Sequence, residues 1–174
     1  ALQVFSSVTK TPKGQNYEAN SGETDNITLL AVTQLQPVTT WDSLLERSLW
    51  HAEKLRRAEA RSDGRLRIVR SGGEIDRLLA DRAAGKQVTG ALLSVEGLQD
   101  LEGQLSNVET LHEAGFRMAG LVHFFDNDIA GSMHGLKKGG LTPLGRQVVP
   151  EMERLGMIVD LAHASPAAFA DTLA

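Results

Sequence analysis

The sequence contains no cysteine among its 174 residues. That removes disulfides, thiolate metal sites and a cysteine nucleophile, and leaves the compartment open between cytoplasm and periplasm. It has no apolar run near the ~18 residues that a membrane-spanning helix requires. Nor is there an excess of basic residues. With a formal net charge of −4, nothing electrostatic points to nucleic acid or to an anionic membrane surface as a partner. Repeats of fixed period and low-complexity segments are absent too. No G-x-G-x-x-G, no G-x-x-x-x-G-K-[ST] and no G-x-S-x-G occurs. Their absence disfavours dinucleotide and nucleotide phosphate loops, and serine hydrolases built on a nucleophile elbow.

What is present is an ordinary soluble composition, 41% hydrophobic and 23% charged, in a chain long enough for one core and one domain, residues 1–174. The sequence opens at Ala1 without a methionine, as expected if upstream residues such as a signal peptide have been removed.

Residues 2–8 alternate apolar and small polar side chains, which predicts a strand; a polar loop follows to about residue 25. Residues 26–36 read as a helix ended by Pro37. A second helix, capped by Thr39 or Thr40, has Trp41, Leu44, Leu45, Leu49, Ala52 and Leu55 on one face. Beyond Gly64 the pattern becomes regular. Strands are predicted at 66–69, 88–95, 118–124 and 157–162. Capping boxes at Ser71/Glu74 and Ser106/Glu109 open helices that Gly85 and Gly115 close. Thr142-Pro143 starts another helix, stopped by Gly156, with Pro150 inside it to kink or break it. Ser165-Pro166 begins the last. Strands alternating with helices, and strands that are almost continuously apolar, mean a parallel α/β sheet covered on both faces or closed into a barrel.

Three of these strands end in a metal-ligand or acid-base residue: Glu96, His123 and His163. Taken singly, each has a plain reading, a loop carboxylate or a hydrogen-bonded core histidine. Taken in series they point to chemistry at the C-terminal mouth of a barrel, where parallel barrels carry their active sites. His51 and His112 lie within amphipathic helices and read as solvated or packed. His134 falls in a glycine-rich loop, 126–141, where an ordinary loop role is favoured over the lining of a site entrance. Lys137 and Lys138 give that loop the look of a phosphate cradle, but its spacing fits no nucleotide motif and it reads as a substrate-side loop.

Ser94-Val95-Glu96-Gly97, Leu111-His112-Glu113-Ala114-Gly115-Phe116-Arg117-Met118, Leu121-Val122-His123-Phe124 with Asp126-Asn127, Gly139 to Arg146, and Met157 to Ser165 follow one another in an order that resembles the membrane dipeptidase (renal dipeptidase) family of zinc metallopeptidases. The resemblance covers roughly residues 88–173, and the first strand and helices more loosely. It implies a (β/α)8 barrel holding two zinc ions bridged by a glutamate, which maps onto Glu96. His163 maps onto a histidine ligand at the end of the fifth strand, and His123 onto a histidine that contacts substrate and stabilises the oxyanion. A hydroxide held between the metals would attack the peptide bond of a dipeptide.

The departures are equally specific. The family's first strand carries a His-X-Asp pair, and no His-X-Asp occurs in this sequence. A further histidine ligand, a substrate-carboxylate arginine and a catalytic aspartate from strands beyond the fifth are also outside it. By that alignment the chain carries strands two to five, with 66–69 as an accessory strand, where a complete barrel needs about 250 residues. The expectation is a partial barrel whose open edges favour a homo-oligomer or the remainder of a longer protein, and which does not hydrolyse dipeptides by itself. Two other readings stay open: a different metal-dependent amidohydrolase acting on an amide or lactone, and a non-catalytic relative that keeps the pocket for binding or assembly.

Overall fold

The computed structural model describes residues 1–174. Five parallel strands form one sheet: β1 (Leu2–Ser7), β2 (Leu66–Ile68), β3 (Thr89–Glu96), β4 (Phe116–Gly120) and β5 (Ile158–Asp160). The order is β1-β3-β4-β5, with β2 also paired to β3. β1 runs along β3 from Gly90 to Val95. β2 takes Thr89 to Ala91 and β4 takes Leu93 to Glu96, so these two share the opposite edge of β3 end to end. Helices α1 (Ile27–Thr33), α2 (Thr39–Asp42), α3 (Leu44–Ala60), α4 (Gly72–Ala83), α5 (Asn107–Ala114), α6 (Gly145–Arg154) and α7 (Pro166–Leu173) fill the connections, and a 3-10 turn at Leu98–Leu101 follows β3. None of these helices is long and apolar enough to cross a membrane. The result is the parallel α/β sheet expected of a partial barrel.

One core holds the layers together. Leu93 and Val95 of β3, Phe116 and Ala119 of β4, Leu111 of α5, and Val148 and Met152 of α6 are buried in a single cluster. Each large side chain of this kind contributes about 1.5–3 kcal/mol through burial. Val69, Leu78 and Val88 make a small second cluster beneath α4. In contrast Leu2, Val4 and Phe5 of β1 and Ile158 of β5 are exposed. These belong to the two strands that end the sheet path.

Arg47 of α3 ties the long 9–25 loop to the helices. Its guanidinium is buried and donates to the carbonyls of Thr9, Thr40 and Trp41, to the Thr28 hydroxyl, and to the Asp25 carboxylate. Asp25 is correspondingly held below the usual carboxylate range, by its Arg47, Ile27 and Thr28 hydrogen bonds against the opposing effect of burial. An amphipathic-helix pattern cannot announce an arginine that serves as the hub of a loop.

Several boundaries differ from the sequence expectation for local reasons. The second helix is split: Ser43 is extended and its hydroxyl accepts the Glu46 N–H, so Ser43, not Thr39 or Thr40, caps α3. Thr40 instead donates its hydroxyl to the Pro37 carbonyl. At Ser71 the cap forms, but Glu74 reaches the Arg70 N–H, one residue earlier than a capping box requires. Ser106 is already helical and makes no side-chain cap. α6 runs unbroken through Pro150. Thr142 still accepts the Gly145 N–H, as a cap placed ahead of that helix. β4 ends at Gly120 and β5 at Asp160. The Asp160 carboxylate accepts the Ala162 N–H, an Asx turn that competes with the ladder and stops β5 early.

Candidate metal centre

Glu96 is the last residue of β3, placed at the C-terminal mouth as expected. Gly97 follows with φ +86, a backbone angle natural to glycine, and the chain turns away there. His123 and His163 are not the last residues of their strands. Each lies three residues beyond its strand end, on the loop that the strand feeds. The three side chains nevertheless converge: one ligand-type atom from each of Glu96, His123 and His163 lies within 4.8 Å of the others. His123 Nε2 is 3.1 Å from a Glu96 carboxylate oxygen, and the His123 and His163 rings meet edge to face at 4.8 Å.

The electrostatics favour neutral imidazoles. Burial pushes His123 down to about 4, helped by His163 and His134. His163 is also lowered, by burial and His134 against the opposing pull of Glu96 and Asp160. Neutral rings offer lone pairs, the state that metal coordination requires. For neutral His123 the Glu96 contact selects the tautomer, because only Nε2–H can donate to a carboxylate. Its Nδ1 is then a bare acceptor, and it is buried without any partner. An unpaired buried polar atom costs about 1–3 kcal/mol, and such atoms are retained where a ligand satisfies them. A carboxylate with a neutral imidazole, as in Glu96 with His163, is a donor pair suited to zinc.

His134, set aside in the sequence, packs beside this cluster. It is buried, stacks on Phe124 at 4.7 Å, and its ring lies 5.3 Å from that of His163. Its Nδ1 is 2.9 Å from the Tyr17 carbonyl, which fixes the hydrogen on Nδ1. Tyr17 packs on Phe124 and His134 in turn. No spacing rule links Tyr17 to His134; the backbone bridge between Asn20 and Gly135 brings the two loops together. His51 and His112 stay in α3 and α5, away from this cluster.

The glycine-rich loop is no phosphate cradle. Its amide hydrogens at Ser132, Lys137 and Lys138 all point to the Asp126 carboxylate. A Cβ at Gly135 would stand 2.1 Å from that carboxylate, so the glycine there makes room for an internal anion. The Lys138 ammonium donates to the Glu18 carbonyl. The largest cavity, about 750 Å³, opens among the loops after β1, β3 and β4, with Arg47, Gln99, Glu102 and Asn127 in its wall. None of the three ligand-type residues lines it. We place the chemistry at the side-chain cluster, because volume alone performs none.

A carboxylate at the end of one parallel strand and imidazoles just past the ends of two others form a group that could hold a metal ion. Residues 7–174 match the family model for membrane dipeptidase (peptidase family M19), and the chain belongs to that family. Dipeptidase aclJ of Aspergillus oryzae is 43% identical over 77 residues, covering 43% of this chain and 18% of that protein. Dipeptidase tcpJ of Claviceps purpurea is 41% identical over 86 residues, covering 48% of this chain and 20% of that protein. The matched part therefore spans about a fifth of the length of these relatives. Among solved structures, a metallo peptidase from Rhodobacter sphaeroides liganded with a phosphinate mimic of the dipeptide L-Ala-D-Ala superposes with a TM-score of 0.66 at 22% identity. That match covers 97% of this chain and 48% of the other. The probable dipeptidase PvdM from Pseudomonas aeruginosa gives a TM-score of 0.64 at 25% identity, over 70% of this chain and 31% of that one. These likenesses bear out the partial barrel.

Proposed function

We propose that this chain carries one side of the active centre of a zinc-dependent dipeptidase. The observation that carries the reading is the convergence of Glu96, His123 and His163 on one point, within 4.8 Å, from three separate loops and strands. Glu96 and His163 would hold the metal. Bound zinc supplies a Lewis acid for the peptide carbonyl and lowers the pKa of a coordinated water. His123 would meet the substrate. Its Nε2–H now donates to Glu96; once that carboxylate is engaged by a cation, the same N–H is free to donate to the oxygen that gains charge as the peptide bond is attacked. Because the ring is held neutral, it stabilises that oxygen as a donor without delivering a proton to Glu96. Phe124 and His134, both buried, form the wall beside these groups, and the exposed Tyr17 packs on them from outside.

The sequence holds no His-X-Asp, so full activity needs ligands supplied from outside these residues. The exposed apolar side chains of β1 and the outer edge of β5 are where further strands, of the same protein or of a second copy, would dock.

The test is zinc binding to the 174-residue chain, followed by chelator competition, with dipeptide hydrolysis assayed alongside. The expected result is zinc binding that Glu96→Gln and His163→Ala each weaken by at least about tenfold, with no turnover by the chain alone. Binding indifferent to both substitutions refutes the metal assignment. Rapid zinc-dependent cleavage by this chain refutes the view that the site is incomplete.

A further inference from the structure

The glycine-rich loop does more than close the connection between β4 and α6. Its residues 131–134 lie against the backbone of both candidate histidines. The Ser132 hydroxyl, fully buried, donates to the His123 carbonyl at 2.5 Å and accepts the His134 N–H at 3.1 Å. The next amide, Met133 N–H, donates to the His163 carbonyl at 2.8 Å. Ser132 and Ala164 form an antiparallel bridge, and the Ser165 N–H returns to the Gly131 carbonyl. Two adjacent residues of one loop thus hold one histidine each.

The His163 backbone gives this clamp a purpose. Its φ is +66, a left-handed conformation that is unfavourable for a residue with a Cβ. Such a conformation persists only where its surroundings over-determine it. Here the surroundings are the Met133 amide on the His163 carbonyl and the Ser132–Ala164 bridge. Ser132 is itself fixed from three sides, because its own N–H is taken by Asp126 at 2.8 Å.

We propose that Ser132 is a positioning residue of the metal centre: its hydroxyl and the neighbouring amide set the separation of the His123 and His163 backbones, and so bring both imidazoles to Glu96. This inference rests on the zinc-dipeptidase reading and deepens it, by naming what holds two of the three groups. Alanine at this position leaves the His123 carbonyl and the His134 N–H without a partner in a dry environment. The loop then relaxes, and the two rings lose their common aim. Threonine keeps the hydroxyl.

The experiment compares zinc affinity, by chelator competition, and the visible absorption of the cobalt(II)-loaded protein across the parent, Ser132→Ala, Ser132→Thr and Val108→Ala. Val108 is buried on α5, so its truncation controls for general loss of core packing. The inference expects Ser132→Ala to lose about tenfold or more in zinc affinity and to shift the cobalt band, with Ser132→Thr restoring both. Val108→Ala should change neither. A Ser132→Ala protein with the parent's affinity and band overturns the inference, as does an equal loss in Val108→Ala. Should Ser132→Ala fail to fold, Ser132→Cys, close in size and a weaker donor, carries the same comparison. A parent that binds neither ion sinks the zinc reading and this inference together; a parent that binds, matched by Ser132→Ala, sinks this inference alone.

Discussion

Asp100 offers a sharp test of the packing behind the site. It lies in the 3-10 turn that follows Glu96 and is fully buried. Its Oδ2 accepts the Ser48 hydroxyl at 2.6 Å, and its Oδ1 has no partner at all. Burial pushes its pKa up from 3.8 to about 7, against the Ser48 hydrogen bond and with some help from Glu102. In an unfolded chain the group ionises near its ordinary value of about 3.9. Below that pH it is neutral in both states and costs nothing. Between about 4 and 7 the unfolded chain releases the proton while the folded one keeps it, so stability falls as pH rises. Above the folded pKa the penalty is constant. A difference of about three units corresponds to ~4 kcal/mol at ~1.36 kcal/mol per unit. The assay is urea unfolding of the parent and of Asp100→Asn at about pH 4, 6 and 8. Asparagine should match the parent within about 1 kcal/mol in acid and exceed it by up to ~4 kcal/mol at alkaline pH. His51 and His123, both lowered to about 4, give the opposite slope between about pH 4 and 6.5, but they are common to both proteins and cancel in the difference. A difference that stays flat across this range would show that Asp100 ionises freely and refute the reasoning.

Three further substitutions probe the loops. Gly135→Ala places a methyl 2.1 Å from the Asp126 carboxylate, so we expect a loss of about 1–3 kcal/mol and weaker zinc binding, read by thermal melting and chelator competition. Arg47→Met removes a buried guanidinium, the partner of the half-buried Asp25, with all five of its donated hydrogen bonds. Unfolding titrations should show about 3–5 kcal/mol lost, and a loss under 1 kcal/mol, on the order of an exposed pair, would contradict the hub assigned to it. His163→Asn keeps a residue that tolerates the left-handed backbone; stability should hold within about 1 kcal/mol while zinc affinity drops at least about tenfold. Unchanged zinc affinity in that variant would remove His163 from the ligand set.

The parallel α/β character and the three residues that cluster at the strand ends were legible because each leaves a local pattern. β3 is an apolar run that ends on a carboxylate, and Ser165-Pro166 announces a helix start that the structure keeps. The two histidine strands end earlier than the apolar pattern predicts, at Gly120 and Asp160 and not at 124 and 162. Apolar runs such as Leu121-Val122 and Leu161-Ala162 continue the hydrophobic signal into segments whose hydrogen bonds have already left the ladder. His134 was missed for a different reason: its role comes from the Tyr17 carbonyl and from stacking on Phe124, and neither contact leaves a trace in spacing. The look of a phosphate cradle around Lys137 and Lys138, set aside on spacing, has a physical source: amides there converge on an anion, the Asp126 carboxylate of the chain itself.

β3 is the one strand with partners along both edges for nearly its whole length, because β2 and β4 divide one edge while β1 occupies the other. Its amide hydrogens should therefore be the last in the sheet to exchange with solvent, opening only in the global unfolding event. Glu96 rides on that strand, whereas His123 and His163 lie outside the ladder, so their segments should open at lower cost than β3. The centre is thus assembled around a carboxylate whose backbone the sheet holds on β3, to which the loops after β4 and β5 bring the two imidazoles. Fluctuations at the site should appear as motion of the histidines about Glu96 and not of Glu96 itself.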